Sequence, residues 1–181
     1  MFDDTDIKIA GNHPSDSIKK SASAYSGERV LSKDVVSSAK KLGEYVADCF
    51  SNASDAYSNA VEDADVDMFT QRILLLSFTV TAVFEAKIFD DAVAGIAQKS
   101  FLDTVKSKYN DIYRYTSDTG AFTFYYLAYR RGTEVERRMG QTFAMLCAHD
   151  GDPIYQELGE VLFCWFSSEV TAAVEKFDLS K

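Results

Sequence analysis

The chain has 181 residues, 46% hydrophobic and 13% aromatic, which suits one ordinary domain and excludes intrinsic disorder. Its net charge of −9 is dispersed along the chain. Such a surface repels phosphate backbones and anionic lipid, so neither nucleic acid nor membrane is an expected partner.

Three cysteines, Cys49, Cys147 and Cys164, stand far apart in apolar stretches and read as reduced thiols of a cytoplasmic protein. Met1 to Gly11 is acidic and carries no apolar run, so no secretory signal is expected. The longest charge-free run, Ile73 to Phe84, spans about 18 Å as a helix against a bilayer core of about 30 Å. No segment is expected to cross a membrane.

Pro14 and Pro153 are the only prolines, and long apolar stretches at helical spacing lie between them. The prediction is an all-α fold, an up-and-down bundle of about five long helices. Met1 to Leu31 holds Pro14, Gly11 and Gly27 without periodicity and reads as a poorly ordered tail. Residues 32–181 read as a single helical-bundle domain.

The first helix is predicted from an N-cap at Ser32 to about Asp63, with Val35, Ala39, Leu42, Val46, Cys49 and Ala53 on its apolar face. Ser51 to Ser54 is a candidate kink. A cap at Asp65, with Ala64 and Phe69 as a staple, opens the second helix. From Met68 to Phe89 only Arg72, Glu85 and Lys87 are charged, which makes this the central helix. Asp90 to Lys99 reads as a turn or short helix. Ser100 with Asp103 reads as the cap of a third helix to about Tyr115.

Thr116 to Gly120 is predicted as a loop and about Ala121 to His149 as the fourth helix, in which a kink near Gly132 would rotate Glu136 outward. Asp152 as N-cap with Pro153 at the first position opens the fifth. That helix carries an apolar stripe of Ile154, Leu158, Val161, Trp165, Ala172 and Phe177.

Chemistry is sought first on the fourth helix. Phe122, Tyr125, Tyr126 and Tyr129 share a face, as a pocket wall, a partner surface or simply an aromatic core layer. Phe122, Tyr129, Glu136 and Phe143 recur every seven residues, so Glu136 is expected to point inward between Gly132 and Gly140. A buried carboxylate needs a partner. A helix crossing over the glycines with Arg72 or Arg114 on Glu136, a subunit contact, or a small ligand would each supply one.

Glu85 and Glu169 also fall on faces expected to be inward. A di-metal carboxylate bundle needs Glu-x-x-His pairs, and none occurs here. His13 and His149 are the only histidines, and His149 reads as a favourable charge at a helix C-terminus. Arg130, Arg131, Arg137 and Arg138 cluster as a candidate contact for an anion or acidic partner, interleaved with Glu134 and Glu136 as a solvated, salt-bridged face.

The function expected from these features is a non-enzymatic interaction or scaffold module that self-associates, without cofactor or metal. Its contact surface is expected at Tyr125 and Tyr129. The alternative is a small-molecule-binding helical sensor with Tyr129, Glu136 and Trp165 lining a pocket between the second, fourth and fifth helices. A metal-carboxylate enzyme is a distant third.

Overall fold

A computed structural model describes residues 31–58, 66–114 and 119–181. The elements are α1 Lys33–Ser58, α2 Val66–Lys87, α3 Asp91–Lys108, the single turn α4 Asn110–Tyr113, α5 Thr119–Arg130, α6 Val135–Leu146 and α7 Pro153–Lys176. The expected tail up to residue 30, the Asp65 cap with its Ala64 staple, the end of the first helix beyond Ser58 and most of the Thr116–Gly120 loop lie outside the described residues.

Side chains that take over orphaned backbone N–H groups set three helix starts. Ser32 Oγ accepts from the Val35 N–H at 3.2 Å at the head of α1. Asp152 Oδ1 accepts from the Ile154 N–H at 2.9 Å, with Pro153 at the first position of α7. Both agree with the sequence. The third differs: Asp90 Oδ1 accepts from Ala92 and Val93 at 2.8 and 3.3 Å, so α3 starts at Asp91 and runs straight through Ser100. A carboxylate accepting two N–H groups outcompetes the serine, whose hydroxyl instead donates to the Lys40 carbonyl at 2.8 Å.

α1 continues through Ser51–Ser54 as one helix, with Ala39, Leu42, Val46 and Ala53 buried. The expected fourth helix is interrupted. Arg131 to Glu134 leave the helix, with Gly132 at φ +71° and Glu134 at φ +48°. Glycine takes the left-handed conformation without steric cost, and the chain turns there instead of running on.

The core is organised around α2. Arg72 to Val80 and Ala82 to Phe84 are buried, and Leu74, Leu75 and Leu76 show no exposed surface. Each such leucine contributes about 1.5–3 kcal/mol by burial. Met68–Lys87 has the length and apolar character to cross a bilayer, yet 67% of its apolar window is buried against other helices. α7, α5 and α3 provide most of that cover.

Two helix pairs flank α2 at unusually close approach. α3 runs alongside α1 in the same direction: Ser100 meets Lys40 and the Tyr109 hydroxyl donates to Asp48 at 3.0 Å. A Cβ on Gly43 would collide with the Ala97 carbonyl and stand 2.7 Å from the Phe101 nitrogen. α6 and α7 meet at Gly140 and Gly159. A Cβ on Gly140 would strike the Gln156 carbonyl, and one on Gly159 would stand 3.0 Å from Gly140 Cα. The C-terminal residues then bind the α2–α3 corner, with Phe89 N–H donating to Leu179 O at 3.1 Å and Lys181 N–H to Lys87 O at 2.8 Å.

These contacts set an expectation for urea unfolding. Gly43→Ala and Gly140→Ala each lower stability by about 1–3 kcal/mol, because backbone must move to admit the methyl. Gly95→Ala, in an open position on α3 with nothing within 4 Å, raises it by roughly 0.5–1 kcal/mol.

Candidate functional site

The aromatic face of α5 belongs to the core. Phe78 on α2 contacts the rings of Phe122, Tyr125 and Tyr129 at 5.4, 5.7 and 5.9 Å between centroids. Tyr125 is fully buried, and Phe122 and Tyr129 are half-buried. Tyr126 stands apart on the exposed side, its ring under the Arg130 guanidinium at 5.6 Å. Of the two tyrosines expected at a contact surface, Tyr125 is sealed in the core and Tyr129 keeps only part of its surface.

Glu136 is exposed, contrary to the sequence reading. The turn at Arg131–Glu134 starts α6 at Val135, which leaves Glu136 in an open first turn where the helix dipole favours a carboxylate. Of the two glycines taken to flank it, Gly140 does admit a close helix crossing, whereas Gly132 lies in the turn. Arg72 is directed elsewhere: it is buried and its Nη2 donates to the Ala53 carbonyl on α1. Glu85 and Glu169 are exposed too. Among the described residues no three His, Cys, Asp or Glu side chains converge on one point. The expected inward carboxylate cluster is not formed.

The arginines are spread around the α5–α6 turn. Arg137 pairs with Glu134 at 3.5 Å, and Arg138 Nε donates to the Thr133 carbonyl at 2.7 Å. Arg131 is exposed. The Arg137–Glu134 pair is i,i+3, with Glu134 at the N-cap position just outside α6. His149 stacks on Tyr155 with 3.7 Å between ring centroids, closing the short link from α6 to α7.

The largest departure concerns α7. Its buried residues are Gly159, Leu162, Phe163, Phe166, Val170, Ala173 and Val174. The stripe expected to face the core looks outward: Ile154 is 72% exposed, Val161 56% and Trp165 44%, with Ala172 exposed and Leu158 half-buried. α7 is thus apolar on two sides, only one of them covered. Gly159, silent in a hydrophobicity pattern, decides which side that is.

The interior shared by α2, α5, α6 and α7 is filled by Leu74, Phe78, Tyr125, Met139, Phe143 and Phe163. Glu136 and Trp165 are exposed instead of turned into it, and Tyr129 packs on Phe78. Open clefts lie elsewhere. One of about 440 Å³ between α2 and α3 is lined by Thr81, Phe84, Glu85, Asp91, Gly95 and Gln98. Gln98 Nε2 donates to Thr81 Oγ1 at 3.0 Å, and its buried Oε1 has no hydrogen-bond partner among the described residues. A second cleft, about 510 Å³, lies between α1 and α3 beside Lys40, Glu44 and Asp103.

No protein-family model matches the chain, and no curated protein and no solved structure is significantly similar to it.

Two titrations are shaped by this packing. Burial pushes the Tyr125 phenol well above its ordinary range, with Cys147 adding to the effect, and its hydroxyl has no hydrogen-bond partner among the described residues. The unfolded chain loses this proton near pH 10 while the folded chain keeps it. The associated stability is whole below about pH 10 and falls as pH rises further. Tyr125→Phe is expected to raise stability at pH 7 by about 1 kcal/mol and to flatten the alkaline loss in urea titrations.

The Cys164 thiol is likewise raised, first by partial burial and then by the Glu136 and Glu160 carboxylates. Glu136→Gln should therefore increase the thiolate fraction and speed iodoacetamide alkylation of Cys164 at pH 8, as followed by peptide mass spectrometry.

Proposed function

We propose that this protein is a non-enzymatic helical interaction module that acts by self-association in the cytoplasm. One observation carries this reading: the exposed apolar stripe of Ile154, Val161, Trp165 and Ala172, continued by half-buried Leu158, on a helix whose opposite side already builds the core. A helix apolar all round is ordinarily enclosed by others, as α2 is. A contiguous exposed apolar strip is the usual mark of an interaction surface. Tryptophan at its centre is the residue type that most often dominates interface energetics. The net charge of −9 favours solubility when the stripe is free.

A small-molecule sensor is the second reading, and the α2–α3 cleft favours it. There Gln98 stands with Glu85 and Asp91 around a space of about 440 Å³, a set suited to a small ammonium cation. A saturable rise in melting temperature with a primary amine, lost in Glu85→Gln, would favour that reading.

The self-association reading is tested by sedimentation velocity across a concentration series. The expected result is a monomer–dimer equilibrium that Val161→Glu weakens by roughly 10- to 100-fold in Kd while the melting temperature holds. Trp165 is the sole tryptophan, so its emission should shift to the red on dilution in the same range. A monomer at every concentration overturns the proposal.

A further inference from the structure

Resting on self-association as the protein's activity, we infer that two copies pair antiparallel through the outer stripe of α7, Val161 lying opposite the partner's Trp165. The positions Ile154, Leu158, Val161, Trp165, Ser168 and Ala172 alternate steps of four and three, the spacing of a seam between two paired helices. α6 occupies the Gly159 side of α7, and α1 reaches the other flank, where Lys176 Nζ lies 4.2 Å from the centroid of the Tyr45 ring. The stripe lies between these flanks, open to a straight partner helix.

The stripe is complementary to its own reverse. Turned end for end, Ile154 meets Ala172, Leu158 meets Ser168 and Trp165 meets Val161, so each level of the seam joins a larger residue to a smaller one. Parallel pairing sets Trp165 on Trp165 and leaves Ser168 on Ser168 and Ala172 on Ala172. One level is overfilled and two are hollow, and both faults cost stability.

The helix dipoles select the same direction, since antiparallel pairing opposes them. Side-chain charge adds little, because Asp152 and Glu157 at the start of α7 would face a last turn where Glu175 offsets Lys176.

Cys164 reports the arrangement. It is exposed and flanks the stripe, one residue from the midpoint between Val161 and Trp165. In the antiparallel seam the two Cys164 thiols lie on the same side and face each other across the two-fold axis. In a parallel seam they lie on opposite sides.

The test is a short bis-maleimide added to the full-length protein at concentrations where sedimentation shows dimer. A covalent dimer is expected, abolished by Cys164→Ser although that variant still sediments as a dimer. In the Cys164→Ser background, Ser168→Cys should not cross-link to itself, but should cross-link when mixed with Leu158→Cys. A dimer that lacks the Cys164 link, or one in which Ser168→Cys joins to itself, overturns the antiparallel seam and leaves self-association standing. A chain that stays monomeric at all concentrations overturns both.

Discussion

The contact of Gly140 with Gly159 governs more of this structure than any other. With no Cβ on either residue, the backbones of α6 and α7 approach until Gly140 Cα nearly touches the space a side chain would take on Gly159. The approach fixes the rotation of α7 about its own axis. Once Gly159 faces α6, Leu162, Phe166, Val170 and Ala173 must face the core, and Ile154, Val161 and Trp165 must face away. The surface on which the functional reading rests thus follows from two residues that contribute no hydrophobic surface themselves.

α2 supplies the complementary demand. It has almost no polar face to offer water, so its neighbours arrange to cover it, and the hydrophobic gain offsets the conformational cost of bending the chain around it. The parallel α1–α3 pair, drawn close at Gly43, provides one wall; α5 and the α6–α7 pair provide the others. The C-terminal residues close the corner by backbone hydrogen bonds to Lys87 and Phe89, with Leu179 buried beneath them. One apolar helix between two tightly approached pairs accounts for the bundle.

How much of this was legible depended on the kind of signal. Ser32 and Asp152–Pro153 were readable because a cap is local chemistry, and α2 because composition alone marks it. Asp90 was missed because Ser100 and Asp103 mimic a cap inside a helix. The fourth helix was carried through Gly132, where a kink was the alternative, because Phe122, Tyr129, Glu136 and Phe143 happen to keep a seven-residue step across it, although the turn puts them on two helices. Glu136 consequently looked buried. For α7 the periodicity was correct but incomplete: two apolar faces share one helix, and period alone does not say which meets the core. Glu85 and Glu169 were misplaced for a related reason, since at a helix end or flank a carboxylate reaches water even beside core positions.

The dimensions of the outer stripe set the strength of any association built on it. From Ile154 to Ala172 it spans about 28 Å at 1.5 Å per residue, on a helix about 10 Å across with its side chains. That strip falls well short of the roughly 800 Å² per partner buried in a standard stable interface. A dimer held by α7 alone would be weak and concentration-dependent, with Trp165 carrying a disproportionate share of its energy. Adjoining surface can add to it: Tyr45, 39% exposed, packs on Phe177 at 5.8 Å beside the end of α7, within reach of a partner lying along the stripe. A weak contact also accords with a monomer that folds fully before it associates, because the side of α7 that builds the core is already complete. Under the proposed self-association, pairing turns on local concentration, unlike a permanent assembly.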